Sequence, residues 1–583
     1  MYDLVIRGGR IIDGTGRDVF FGDVGISGQK ISFVGPNAGP GKSEIDATGL
    51  IVTPGFVDLH THYDGQAMWD PILAPSSWHG VTSVIMGLCG VGFAPAARDQ
   101  HSWLIDVMEC VEDIPREVLE KSLSWNWEFF PEYLDALDAL PRAVDVGVHV
   151  PHVPVRGYVM GDRAVRNEPA TKSDIDRMRR IVEEGLRAGA LGFSCSRTQF
   201  HRMANGDLVP ASFGDRDEIS GICQAVKSTG HGVIQILSDL NPSAEEFQFL
   251  EDLSIGSSAP VAFTLVQTPF TEEDWRGQLR RAEAATSHGA RLVPHFMPRG
   301  AGFIMGWQCG VHPFVSRASW RAIEHLSWPD KLVKLKDSAF RARLLSEPNQ
   351  PVPKLAPQMM ELVNNSFGLQ YELGDVPDYE PDPDTMSIRS RAHREGKDPA
   401  ALAFDILMQS DGGGLIYLPV VNYQTGNLDH VRELIMHPQA VVSLGDGGAH
   451  ASLIVDATQT TFLLVHWARD RLRGKTVPLE IAVKSLTHDP AASYGLDDRG
   501  VIAAGYLADV NLIDFNRLKL LRPYVAFDLP TGARRLLQHA EGYVATIKRG
   551  EVTFRNGEHT GALPGRLIRG TRTAPVTQLA AAG

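Results

Sequence analysis

The chain has 583 residues, of which 43% are hydrophobic and 22% charged, and it carries a formal net charge of −14. That length exceeds what a single core usually supports, so two structural units are expected, and the acidic balance argues against nucleic acid or an anionic membrane surface as a partner. No run of about eighteen apolar residues is present, which excludes a membrane-spanning helix by hydropathy.

Met1-Tyr2-Asp3-Leu4-Val5-Ile6-Arg7 lacks the basic start and long apolar core of a signal peptide, so a cytoplasmic location is expected. Residues 2–53 read as short strands, Tyr2–Arg7, Asp23–Ile26, Lys30–Val34 and Leu50–Val52, punctuated by turns such as Gly8-Gly9 and Asp13-Gly14. Next comes an apolar run, Gly55-Phe56-Val57-Asp58-Leu59, that ends in His60-Thr61-His62. On a strand, residues i and i+2 share a face, so both imidazoles can reach one metal ion. His-x-His at a strand end is a natural half of a catalytic zinc site.

Seven further strand-like runs follow: Val81–Met86, Asp145–Val150, Ala190–Ser194, Gly232–Leu237, Val261–Val266, Arg291–His295 and Val441–Leu444. Helical patterns, for example Lys172–Ala188 and Arg216–Thr229, lie between most of them. Eight strands alternating with helices predict an α/β fold, a (β/α)8 TIM-like barrel with its site at the C-terminal strand ends. The stretch at about 298–437 is too long for one connection and reads as a helical insertion or lid. Near the C-terminus, Ala508–Asp514, Val544–Arg549 and Glu551–Arg555 are again β-rich. The two chain ends, 1–53 and 500–583, are expected to pair into one small β-sandwich domain, leaving 54–499 as the barrel.

Two more groups join the histidine pair. The last barrel strand runs into Gly445-Asp446-Gly447-Gly448, and barrel closure would set Asp446 beside the first strand. A carboxylate there can bind the metal, take a proton from its water, whose pKa drops towards ~7, and pass it to a leaving group. Without the histidines it would read as an ordinary Asp-Gly turn. Cys89, in Gly87-Leu88-Cys89-Gly90 at the end of the second strand, is a candidate thiolate ligand or else a small buried residue. The five cysteines, Cys89, Cys110, Cys195, Cys223 and Cys309, have no CxxC spacing, which argues against a disulfide framework.

These motifs resemble the amidohydrolase superfamily and, within it, the N-acyl-D-amino-acid deacylase (D-aminoacylase) group. The resemblance rests on Asp3–Gly14, Pro54–His62, Gly87–Gly90 and Gly500–Val510 and spans nearly the whole chain. It implies a metal-dependent hydrolase, usually with zinc, that cleaves the amide of an N-acyl amino acid, most of all an N-acyl-D-amino acid. Carried over by position, His60, His62, Cys89 and Asp446 would be metal ligands. A metal-bound hydroxide would attack the carbonyl, with Asp446 as general acid/base. The group also has histidines at the ends of strands five and six, whereas here those runs read Gly232–Asp239 and Ala262–Thr268 without one. Either Gln235 and Gln267 stand near those positions or the strand register is shifted. One zinc ion is therefore preferred over two.

Around this centre, Arg197 could hold a substrate carboxylate, and His152, His295, His450 and Tyr63 could line the pocket or orient the ligands. Trp69, Trp78, Trp125, Trp127, Phe129 and Phe130 are candidates for an apolar acyl pocket, although core packing accounts for most such aromatics. The expected partner is a small-molecule N-acyl amino acid or related amide, with no nucleic acid and no membrane. The sheet edges and the insertion offer surfaces for a homo-oligomer. Hydrolysis of a cyclic or other non-peptide amide is the alternative within the same chemistry. A non-catalytic binding or scaffold barrel is the alternative outside it.

Overall fold

The computed structural model of the protein describes residues 1–572 and 575, apart from 213, 240–241, 270–274 and 353–355. The expected end of the small domain, 573–574 and 576–583, lies outside the described residues. Eight strands form one sheet in the order they occur in the chain: β1 (Phe56–Asp58), β2 (Val81–Met86), β3 (Asp145–Pro151), β4 (Gly192–Arg197), β5 (Val233–Ser238), β6 (Pro260–Thr264), β7 (Arg291–Phe296) and β8 (Val441–Val442). Every pairing along the sheet is parallel. A parallel bridge between Thr61 and Gly447 joins the first strand to the last. The His62 amide donates to the Gly447 carbonyl at 2.8 Å and the Asp446 amide to the His60 carbonyl at 3.0 Å. The sheet is thus a closed TIM-like barrel, and its seam brings residues 60–62 against 446–447.

Helices cover the outside, so both faces of the strands are dry and their sequences run nearly continuously apolar. All residues of β2, β3 and β4 are buried. The helix Lys172–Ala188 shows how the crossovers are specified. Thr171 caps it by accepting the Asp174 amide, Gly189 ends it in the left-handed region, and Met178, Val182 and Leu186 face the barrel at i, i+4 and i+8.

Between β7 and β8 the insertion is not purely helical, as the sequence suggested. It carries a three-stranded antiparallel sheet, ordered Ala301–Met305, Ile416–Val421, Tyr371–Glu372, among its helices. Its own core is built on Trp307, Phe314, Trp320, Phe404 and Leu418. These strands hid in the sequence because one is only two residues long and their partners lie far apart in the chain.

The two chain ends meet in a nine-stranded sheet, where Ile51–Pro54 from the N-terminal side pairs antiparallel with Val510–Ile513 from the C-terminal side. Two of its strands, the short Glu558–His559 and Gly41–Asp46, were not foreseen, and the second is the more informative. It is a largely exposed edge of polar residues and shows no apolar alternation. A buried ion cluster ties this sheet to the barrel. Asp145, at the start of β3, lies 2.8 Å from Arg499 and 2.9 Å from both Lys548 and Arg549. Those cations hold its carboxyl far below the usual carboxylate range against the opposing effect of burial.

Candidate metal centre

At the C-terminal end of the barrel, one ligand atom each from His60, His62 and Cys89 lie within 4.8 Å of one another, and all three residues are buried. His60 Nε2 is 3.2 Å from Cys89 Sγ and 3.6 Å from Asp446 Oδ1. His62 Nε2 is 4.0 Å from the same Asp446 oxygen. Two imidazole nitrogens and a sulfur this close together, with a carboxylate oxygen beside the histidines, make a donor set suited to zinc.

Local backbone geometry explains the convergence. Just past β1, the His60 amide donates to Asp58 Oδ1 at 3.2 Å, which fixes the turn. Cys89 has φ 51° between two left-handed glycines, Gly87 and Gly90. Gly90 is required by close packing, since a Cβ there would meet Cys195 Cα at 3.0 Å and the Ser196 amide nitrogen at 3.1 Å. The Cys89 amide donates to Gln235 Oε1 at 2.9 Å, and the Gly90 amide to Ser194 Oγ at 3.1 Å. Asp446 also sits in the left-handed region, at φ 47°, where the seam turns.

The electrostatics of these groups suit a bound cation. Burial pushes Asp446 well above the usual carboxylate range, with Asp456 and Asp58 adding to it. Burial likewise raises the Cys89 thiol, reinforced by Glu112, Asp446 and Asp64, and it lowers both His60 and His62, which favours their neutral form, the one that can coordinate a metal. Burial lifts Asp58 and Asp64 to about 7. A divalent ion placed among these donors would reverse the penalty on the acids and the thiol.

The other expected site residues are spread more widely. His450, at φ 46°, places Nε2 3.9 Å from Glu112 Oε2. The Tyr63 hydroxyl lies 2.8 Å from Ser76 Oγ and accepts the Ser76 amide at 3.2 Å, so it braces the floor of the seam. His295 is buried on β7 and its ring stands 6.3 Å from that of Tyr494. His152 Nε2 is 2.8 Å from Glu218 Oε1, which also accepts Arg156 Nε at 2.9 Å. Arg197 is engaged by the carboxylate of Glu246 and the carbonyl of Gly214, so its fork is already occupied. Gln235 does reach the centre, whereas Gln267 binds the 422–424 turn, taking the Gln424 amide at 3.1 Å.

Of the aromatics, Trp69 lines a cavity that opens on Asp446, together with Ile114, Ile454, Leu529 and Leu536. Trp127 and Phe130 are core residues, and Trp78 stacks on His539 at 4.1 Å. Sequence reasoning missed the cavity wall at 529–538 and the acid Glu112. Glu112 is 2% exposed at the end of helix α1 (His101–Glu112), with Oε1 3.3 Å from His62 Nδ1. Its signal was present: Ile105, Met108 and Glu112 share one helical stripe, and an acid on an apolar stripe is anomalous.

Comparison with known proteins agrees with this architecture. The chain is 25% identical over 574 residues to a D-aminoacylase of Alcaligenes xylosoxydans xylosoxydans, covering 98% of both chains. It is 26% identical over 583 residues to an N-acyl-D-aspartate deacylase of the same organism, covering 99% of this chain and 97% of the relative. Its fold matches that of an N-acyl-D-glutamate deacylase from Bordetella bronchiseptica, solved with zinc and a phosphonate inhibitor, with a TM-score of 0.63 at 20% identity over 97% of this chain and 99% of the other. The profile of the amidohydrolase family matches residues 43–554, and the chain belongs to that family.

Proposed function

We propose that the protein is a zinc-dependent amidohydrolase that cleaves the amide bond of N-acyl-D-amino acids, with one zinc ion per chain. The observation that carries this reading is the convergence of His60, His62 and Cys89 donors within 4.8 Å, with Asp446 3.6 Å from His60. Full-length similarity to a D-aminoacylase and an N-acyl-D-aspartate deacylase supports the substrate class. The lack of histidine on β5 and β6 supports a single ion.

His60, His62, Cys89 and Asp446 would hold the ion. Bound there, zinc would supply Lewis-acid activation of the carbonyl and of the attacking water. Asp446 takes a proton from that water and returns it to the nitrogen as the C–N bond breaks, releasing a carboxylic acid and an amine, which ionise in solution to carboxylate and ammonium. The cavity beside Asp446 shelters the apolar part of the substrate, and its Arg535 is bound to Asp528 at 2.8 Å.

The test is a panel of paired N-acetyl-D- and N-acetyl-L-amino acids assayed with wild-type protein and His60→Ala. The expected result is hydrolysis of the D series by wild type only, with the variant folded but inactive. Zinc-loaded wild-type protein that hydrolyses neither series would sink the reading.

A further inference from the structure

We infer that Glu112 is a positioning residue of the metal centre: its carboxylate holds the Nδ1 edge of His62 and so presents Nε2 to the ion. The inference rests on the metal reading above and adds a residue to it. Glu112 Oε1 lies 3.3 Å from His62 Nδ1, while His62 Nε2 faces Asp446 Oδ1 at 4.0 Å. The ring therefore has one edge for the carboxylate and one for the site. The pair lies at ion-pair distance without a formed hydrogen bond; a carboxylate on the Nδ1 edge of a neutral imidazole favours the proton there and leaves the Nε2 lone pair for coordination. Glu112 approaches the Nδ1 edge of His62, away from the Nε2 edge that faces Asp446, which marks it as support for a ligand.

The anchoring of Glu112 fits this role. Its backbone carbonyl accepts the His450 amide, and Oε2 lies 3.9 Å from His450 Nε2. The next residue, Asp113, accepts both the amide and the hydroxyl of Ser452, at 3.3 and 2.6 Å. The end of α1 is thus stapled to the segment that follows Asp446. Fold stability alone gives no reason for an acid at this position. A buried carboxylate at the negative end of a helix is unfavourable on both counts.

The experiment measures zinc affinity by competition with a chelating dye, alongside the thermal midpoint of the zinc-free protein. Glu112→Ala is expected to weaken zinc binding about 10–100-fold, while Asp113→Ala, which cuts only the neighbouring staple, stays within about twofold of wild type. Glu112→Gln keeps an oxygen at the same place, so it is expected to lose less and to leave the zinc-free midpoint at or above that of wild type. It also serves if the alanine variant does not fold. Zinc binding left intact by both Glu112 variants would overturn the inference alone. So would a loss in Asp113→Ala equal to that in Glu112→Ala. Wild-type protein that binds no zinc would overturn the metal reading and this inference with it.

Discussion

Cys89 Sγ lies 3.2 Å from His60 Nε2, although the two residues follow different, neighbouring barrel strands and are 29 positions apart. That contact is held from below by Gln235, which accepts the Cys89 amide at 2.9 Å from the strand where related enzymes were expected to place a histidine. The glutamine shapes the cysteine turn.

Cys89 should therefore contribute to metal retention. Cys89→Ala is expected to lower zinc affinity by at least about tenfold and to reduce kcat/KM in parallel, because one soft donor is lost from the set. Equilibrium dialysis against zinc checks this. Unchanged affinity would make Cys89 a packing residue.

Asp446 is assigned the proton transfer. Asp446→Asn keeps the size of the side chain and an oxygen for the metal but cannot carry the proton. Its kcat is expected to fall about 10²–10⁴-fold. Zinc content, measured by atomic emission on the same preparation, should drop far less than the rate. A variant that loses metal and activity in equal proportion would reduce Asp446 to a ligand.

Much of this arrangement was legible in the sequence, and the parts that were not share a physical reason. The eight barrel strands showed as apolar runs because both their faces are buried. His60, His62, Cys89 and Asp446 showed because each follows such a run. Glu112 showed only as an acid on the apolar stripe of α1, and its role depends on where that stripe packs, which the local pattern does not encode. Arg197 and His152 looked available at strand ends, yet Glu246 and Glu218 reach them from helices that follow later in the chain. The wall at 529–538 was equally hidden, since the Leu536 amide meets the Ala451 carbonyl at 2.6 Å only after the C-terminal segment has folded back over the barrel.

Acid sensitivity should have a specific source in His79. Its Nε2–H donates to the Gln538 carbonyl at 2.9 Å and its Nδ1 accepts from Thr461 Oγ1 at 2.8 Å, joining the barrel to the C-terminal segment. Burial pulls its pKa down from 6.5 to about 4, against the opposing hydrogen bond to Gln538. Between these values the unfolded chain binds the proton and the folded one does not. The contribution is full above the unfolded pKa and is lost as pH falls towards 4, by about 3 kcal/mol in all. Urea unfolding at about pH 7 and about pH 5 should show a smaller acid loss in His79→Gln than in wild type. Equal losses would place the sensitivity elsewhere.

The central claim is that a single zinc ion on His60, His62, Cys89 and Asp446 makes this barrel an amidohydrolase. The most direct measurement is a zinc titration of chelator-stripped protein, followed by the rate of N-acetyl-D-amino-acid hydrolysis. Activity should rise linearly from zero, saturate at one equivalent of zinc per chain and stay absent in His60→Ala. Hydrolysis by the stripped protein, or saturation only at two equivalents, would contradict the account.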